Sequence, residues 1–237
     1  MPRNILICVT GLSPQIVTET VYALAVQGSP AWIPDEIHLI TTARGADNAR
    51  LKLLSGDPGW FHRLRKDYAL PAIAFDESDI HVIRREDGSL LEDIRDDTDN
   101  RLAADFIADT VRRMTLNADS QIHASIAGGR KTMGALLYGA MTLLGRERDR
   151  LTHVLVSEPY DHPLLNPRFY FPAQPQRVLV APDGRTVRAS KARIELASVP
   201  FVPLRNRYAD LADKPGTFST LVRRYSKRFE SDTSTPA

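Results

Sequence analysis

The chain has 237 residues, 43% hydrophobic and 25% charged, which is ample for one core of α/β size. Its net charge of only +2 excludes a general nucleic-acid coat protein held by bulk charge. A single cysteine excludes an internal disulfide, the N-terminal apolar run is too short for a signal peptide, and no stretch approaches the ~18 apolar residues of a membrane span, so the expected setting is the cytoplasm, in soluble form.

Residues 4–11, NILICVTG, are a continuous apolar run closed by glycine, which predicts a strand buried on both faces. Cys8 lies inside it, where an inert core thiol is expected rather than a nucleophile. In PQIVTETVYALAVQG, Val17, Val21, Leu24 and Ala25 share one helical face, with Pro14 near the start and Gly28 as the stop. EIHLITT predicts a second strand, and NARLKLLSG opens a helix. DIHVIRREDGSLLEDI reads as a strand and a polar turn in a hairpin, and the acidic EDIRDDTDN as a loop.

RLAADFIADTVRRMTL is helical, with Leu102, Phe106, Ile107 and Val111 on one side. QIHASIAGG predicts a strand, KTMGALLYGAMTLLG a deeply buried helix with a wide apolar stripe, and THVLVS the next strand. This alternation predicts a Rossmann-like α/β fold over residues 1–170, a mostly parallel open sheet with helices on both faces. Residues 171–230 read as a β-rich extension, with a hairpin around APDG and a final helix in TFSTLVRRYSKRF, and residues 231–237 as a disordered tail.

Charge is unevenly placed. Residues 76–110 carry twelve acids against four Lys or Arg, and residues 177–229 twelve Lys or Arg against four acids; both are expected to be solvated surface.

Open α/β sheets bind ligands beyond the carboxyl ends of their strands. Two loops have that position here. The first, TGLSPQ, offers Gly11 for close backbone approach and the short polar groups of Thr10, Ser13 and Gln15. The second, AGGRKT, bares the backbone of Gly128 and Gly129 at a helix start and adds two cations, Arg130 and Lys131. Cations oppose the helix dipole at that end, so their placement makes sense if a phosphate sits there. Established phosphate motifs do not fit. GGRKT lacks the glycine before lysine of a P-loop, and TGLSPQ has one glycine where the dinucleotide fingerprint needs three. Six histidines, His38, His62, His81, His123, His153 and His162, show no metal-ligand spacing, and there is no G-x-S-x-G elbow.

ILICVTGLSPQIVTETVYAL together with HASIAGGRKTMGALLYGAMTLLG resembles the CARF domains of type III CRISPR systems, and most closely the CRISPR-associated ring nucleases. The resemblance covers roughly residues 3–170, and IELASVPFVPLR is similar as well. It implies a homodimer that binds one cyclic oligoadenylate across its two-fold axis, four adenylates favoured over six, with no membrane or DNA partner. It further implies cleavage of that ring without metal or cofactor, through attack by a 2′-hydroxyl, with a binding-only sensor as the alternative. Lys131, Arg130 and Ser13 are then the expected catalytic residues. Thr10, Gly11, Leu12, Pro14, Gln15, Ala127, Gly128, Gly129, Thr132 and Met133 are the expected ligand contacts. Arg44, after the second strand, stays open as a further member. The related effector ribonucleases carry a helical HEPN domain with an R-x(4–6)-H motif. Arg148 and His153 have that spacing but fall between a helix and a strand, which reads as coincidence.

Overall fold

The computed structural model describes residues 2–57, 59–173 and 177–233. Strand β1 (Arg3–Val9) alternates between two cores: Ile5, Ile7 and Val9 enter one, Leu6 and Cys8 the other. It is flanked by β2 (Glu36–Thr41) and then β3 (Ile80–Val82) on one side, and by β4 (Ser120–Ser125) and β5 (Arg150–Val156) on the other. These five strands are parallel. After β5 come a separate two-stranded hairpin, β6 (Val178–Val180) and β7 (Thr186–Arg188), and then β8 (Ile194–Ser198). β8 returns antiparallel to β5 and completes the order β3-β2-β1-β4-β5-β8.

Helices cover both faces, as three-layer α/β packing requires. Against the Leu6 and Cys8 face lie α1 (Gln15–Tyr22, continued by a wider turn over Ala23–Gln27), α2 (Ala43–Ala49, continued over Arg50–Leu54) and α3 (Trp60–Asp67). Against the other lie α4 (Asp97–Thr115) and α5 (Lys131–Leu144), then the short α6 (Ala209–Ala212) and α7 (Phe218–Thr233). Met133, Leu137, Met141 and Leu144 of α5 are fully buried, each contributing roughly 1.5–3 kcal/mol. The chain leaves β1 toward β2 and β3, then crosses back to β4 on the opposite side of β1. The strand order therefore reverses between β1 and β4, where open sheets form their ligand crevice.

Five points differ from the expectations above. α2 begins at Ala43, ahead of NARLKLLSG, because small residues rather than large apolar ones bury its first turns. α3 was not expected at all. The acidic tract is only half a loop: Asp97–Asn100 form the first turn of α4, where negative charge suits the helix dipole. The segment after residue 170 is integral, since β8 joins the main sheet and α7 sends Leu221 and Tyr225 into the second core. Helix α7 extends to Thr233, past the expected start of the tail, and residues 234–237 lie outside the described residues.

Candidate functional site

The β1–α1 loop is held from below. Thr10 is fully buried; its N–H donates to the Ile40 carbonyl at 3.0 Å and its hydroxyl to the Ser13 carbonyl at 3.0 Å. Its own carbonyl accepts from the Thr41 hydroxyl at 2.7 Å. Thr10 thus shapes the loop and does not face the crevice. Asn48 of α2 donates to the Leu12 carbonyl at 2.7 Å, which fixes the outer rim, and the Leu12 side chain is 65% exposed. Helix α1 then begins at Gln15, with Pro14 at the N-cap position, no side-chain cap and no acid in its first turn.

The β4–α5 loop presses onto it. A Cβ on Gly128 would stand 2.7 Å from the Val9 carbonyl oxygen, a backbone atom with no room to yield, so only glycine fits. Gly129 has φ +80°, the left-handed region that turns the chain into α5. Helix α5 also starts without a side-chain cap or an acid, and Lys131 is its first residue. The contrast with α4 is sharp. There Asp96 accepts from the Asp99 N–H at 2.8 Å, and Asp97 and Asp99 occupy the first turn.

A cleft of about 220 Å³ opens beside these loops, lined by Gly11, Leu12, Thr42, Arg44, Glu92, Asp93, Gly129, Arg130 and Met133. Arg44, left open by the sequence, thus lines the same cleft as Gly129 and Arg130. The other expected residues are distributed around it. Lys131 and Thr132 border a separate depression with Asp96, Asp97 and Asn100, and only Arg130 belongs to both. Leu12, Pro14 and Gln15 line a third cavity on the far side of the β1–α1 loop. Ser13 lines none of the three, and Ala127 packs against the first core. Ser13 and Lys131, paired by the sequence, are not brought together around one cavity of a single chain.

Glu92 and Asp93 went unrecognised in the sequence. Asp93 accepts from the Arg130 Nε at 3.0 Å and also from its Nη2. These hydrogen bonds hold the Asp93 carboxyl below the usual carboxylate range and raise Arg130. An anion arriving at Arg130 must compete with Asp93. The available signal was a dense acidic tract in a chain whose second glycine loop carries two cations.

Other chemistry-bearing groups are committed to the fold. Burial pushes the Cys8 thiol up to about 12, which makes it a poor nucleophile. His123 pairs with the Thr152 hydroxyl at 2.9 Å, and His38 with His81 at 2.8 Å. Arg148 donates to the Ala118 carbonyl at 2.6 Å, while His153 lies on β5. Among the described residues no group of three or more His, Cys, Asp or Glu side chains could hold a metal ion, and no helix is long and apolar enough to cross a membrane.

Comparison with known proteins bears on identity. No curated protein matches the chain. Among solved structures, Enterococcus italicus Csm6 bound to cyclic hexa-2'-fluoro-hexa-dAMP is similar over 67% of this chain and 34% of that chain, at 15% sequence identity and a TM-score of 0.41. This chain thus spans about a third of that protein's length. The family model described as CRISPR-associated protein NE0113 matches residues 13–227, from Ser13 before α1 to Lys227 in α7, taking in the whole β4–α5 loop and the returning strand β8. The chain belongs to the CRISPR-associated protein NE0113 family.

Proposed function

We propose that the chain binds a cyclic oligoadenylate as a homodimer at the carboxyl ends of β1 and β4, and that it cuts the ring. One observation carries this reading. At the strand-order reversal two helices, α1 and α5, begin uncapped and free of acids, whereas α4 on the same face as α5 is capped by carboxylates. Free backbone N–H groups, a partial positive charge of roughly half a unit per helix and the added cations favour phosphate there. Resemblance of the two loops to ring nucleases names the ligand, and membership of a CRISPR-associated family fits it. A ring with an even number of equivalent phosphates can lie on a two-fold axis and meet each loop twice. Four adenylates is the favoured size.

Cleavage asks little of the protein. A 2′-oxygen held in line attacks its own phosphorus and the bond to the 5′-oxygen breaks. The products are a 2′,3′-cyclic phosphate end and a 5′-hydroxyl; the 2′-proton passes to water and the leaving oxygen takes one back. Holding the ribose in line is worth roughly 7–11 kcal/mol. Arg130 and Lys131 stabilise charge on the non-bridging oxygens, and Ser13 orients the ribose or a phosphate oxygen. Lys131 sits beyond Arg130, outside the cleft, where it meets a ligand that overhangs the rim as a ring on the dimer axis does.

The test is single-turnover cleavage of cyclic tetra-adenylate in EDTA with enzyme in excess, alongside ligand affinity and light scattering. The wild type is expected to be a dimer that cuts the ring. Lys131→Ala should slow cutting by ~10²–10³ with little loss of affinity. Ser13→Ala should slow it roughly ten- to a hundredfold. A ring that stays intact on a tight complex leaves a binding-only sensor, a reading favoured by the prior engagement of Arg130 with Asp93. Absence of ring binding, or a monomer with ligand present, sinks the proposal.

A further inference from the structure

A strongly cationic cavity borders the β1–α1 loop, and it is not the cleft between the loops. On the other side of that loop lies a cavity of about 540 Å³. Its charged lining is Lys52, Arg168 and Arg177, with no Asp or Glu among the lining residues. The cleft, in contrast, sets Arg44 and Arg130 against Glu92 and Asp93. Among the described residues none of the three cavity cations has a carboxylate within ion-pair distance.

The two arginines are held in place. The Arg177 guanidinium sits over the Trp60 ring, 4.1 Å from its centre. Trp60 is buried and stacks on buried Tyr170 at 4.9 Å with the rings 10° from parallel. Burial and the nearby charge of Arg63 both work against Arg177 as a cation. Arg168 donates to the His162 carbonyl at 3.2 Å. Its field acts on Glu19, but burial pushes that carboxyl up to about 8, so Glu19 is mostly protonated at neutral pH and offers Arg168 little countercharge. Three cations thus share one pocket, one of them braced on an aromatic stack, with no carboxylate in its lining and, among the described residues, none in ion-pair contact with them.

We infer that this cavity is a second anion site, built for the phosphate of a nucleotide. Arg177, braced on Trp60, offers planar N–H donors suited to phosphate oxygens, and Lys52 and Arg168 complete the charge. The volume exceeds what a bare phosphate needs and falls in the range of small-molecule sites. Leu12 and Pro14 give it an apolar wall for a base, while Gln15 and Asn48 supply amides for sugar hydroxyls. The inference does not depend on the reading of the cleft, so either can fail alone.

Calorimetric titration with adenosine 5′-monophosphate, and with adenosine as the uncharged control, tests it on the full chain. The wild type should bind the monophosphate, and adenosine far more weakly. Arg177→Ala should weaken binding by at least about tenfold and Lys52→Ala severalfold, while Arg130→Ala binds as the wild type does. Lys52 stands off the aromatic stack, so its loss counts even where Arg177→Ala disturbs Trp60; melting curves report on that. Wild-type affinity in both Arg177→Ala and Lys52→Ala overturns the inference, as does loss of binding in Arg130→Ala alone or no binding at millimolar nucleotide. A competition arm names the source of the phosphate. Displacement of the monophosphate by cyclic tetra-adenylate assigns the site to a phosphodiester of the ring, and simultaneous binding assigns it to a separate nucleotide.

Discussion

Asp93 occupies the guanidinium of Arg130, the group that the proposed function gives to an incoming phosphate. The guanidinium is more than half exposed, so the pair is screened and weak, a detachable partner rather than a structural strut. Asp93→Asn should therefore tighten ring binding by a few-fold and steepen its dependence on salt, because Arg130 no longer starts neutralised. Titrations at two ionic strengths check this. A loss of affinity would mean that Asp93 contacts the ligand itself. Part of this site was legible residue by residue. Paired glycines followed by two cations singled out the β4–α5 loop that borders the cleft, and Gly128 against the Val9 carbonyl gives the first glycine its physical reason. Asp93 was not legible, since it reaches Arg130 from 37 residues away and only the folded chain brings them together. Thr10 misled for a related reason. A hydroxyl in a loop serves a ligand or the loop itself, and burial decides which.

Among the elements, the long and strongly periodic ones were readable: β1, β2, β4 and β5 as apolar runs, α4 and α5 from their stripes. Helix α3 was not, because WFHRLRKD offers only Trp60, Phe61 and Leu64 to the core among five charged or polar residues. Strand β8 looked like part of an appended hairpin, since its long-range pairing with β5 leaves no local mark. The two kinds of helix start also separate in their energetics. Asp96→Ala removes the α4 cap and should cost about 0.5–2 kcal/mol, read as a shift in denaturant midpoint at unchanged ring affinity. An unshifted midpoint would show that Asp97 and Asp99 suffice to hold that end.

Across the whole molecule, three titrating groups, His123 and Glu19 buried and His81 half-buried, set opposing pH dependences. Burial lowers His81 and His123 from 6.5 to about 4, so between those values the unfolded chain binds two protons that the native one refuses. Their contribution to stability is lost as pH falls through that window. Glu19 works the other way. Raised from 4.5 to about 8 by burial, it keeps a proton in the native state that the unfolded chain has released, and stability falls as pH rises across that interval. The histidines outweigh Glu19 below pH 6.5, and Glu19 acts alone above it, which places the maximum from these groups near pH 6.5. Melting temperatures from pH 5 to 8 should trace that maximum, and Glu19→Gln should flatten its alkaline side. Stability that climbs steadily from pH 6.5 to 8 in the wild type would contradict the burial of a neutral Glu19.

Leu12 belongs to the cleft and to the cationic cavity at once, its carbonyl tied to Asn48 and its side chain largely free. That makes the residue pleiotropic. Replacing it disturbs little of the core, yet any added bulk takes space from one chamber or the other. On the two proposals above, a change of ligand in either chamber is therefore felt in its neighbour through a single side chain, and the two specificities drift together rather than apart.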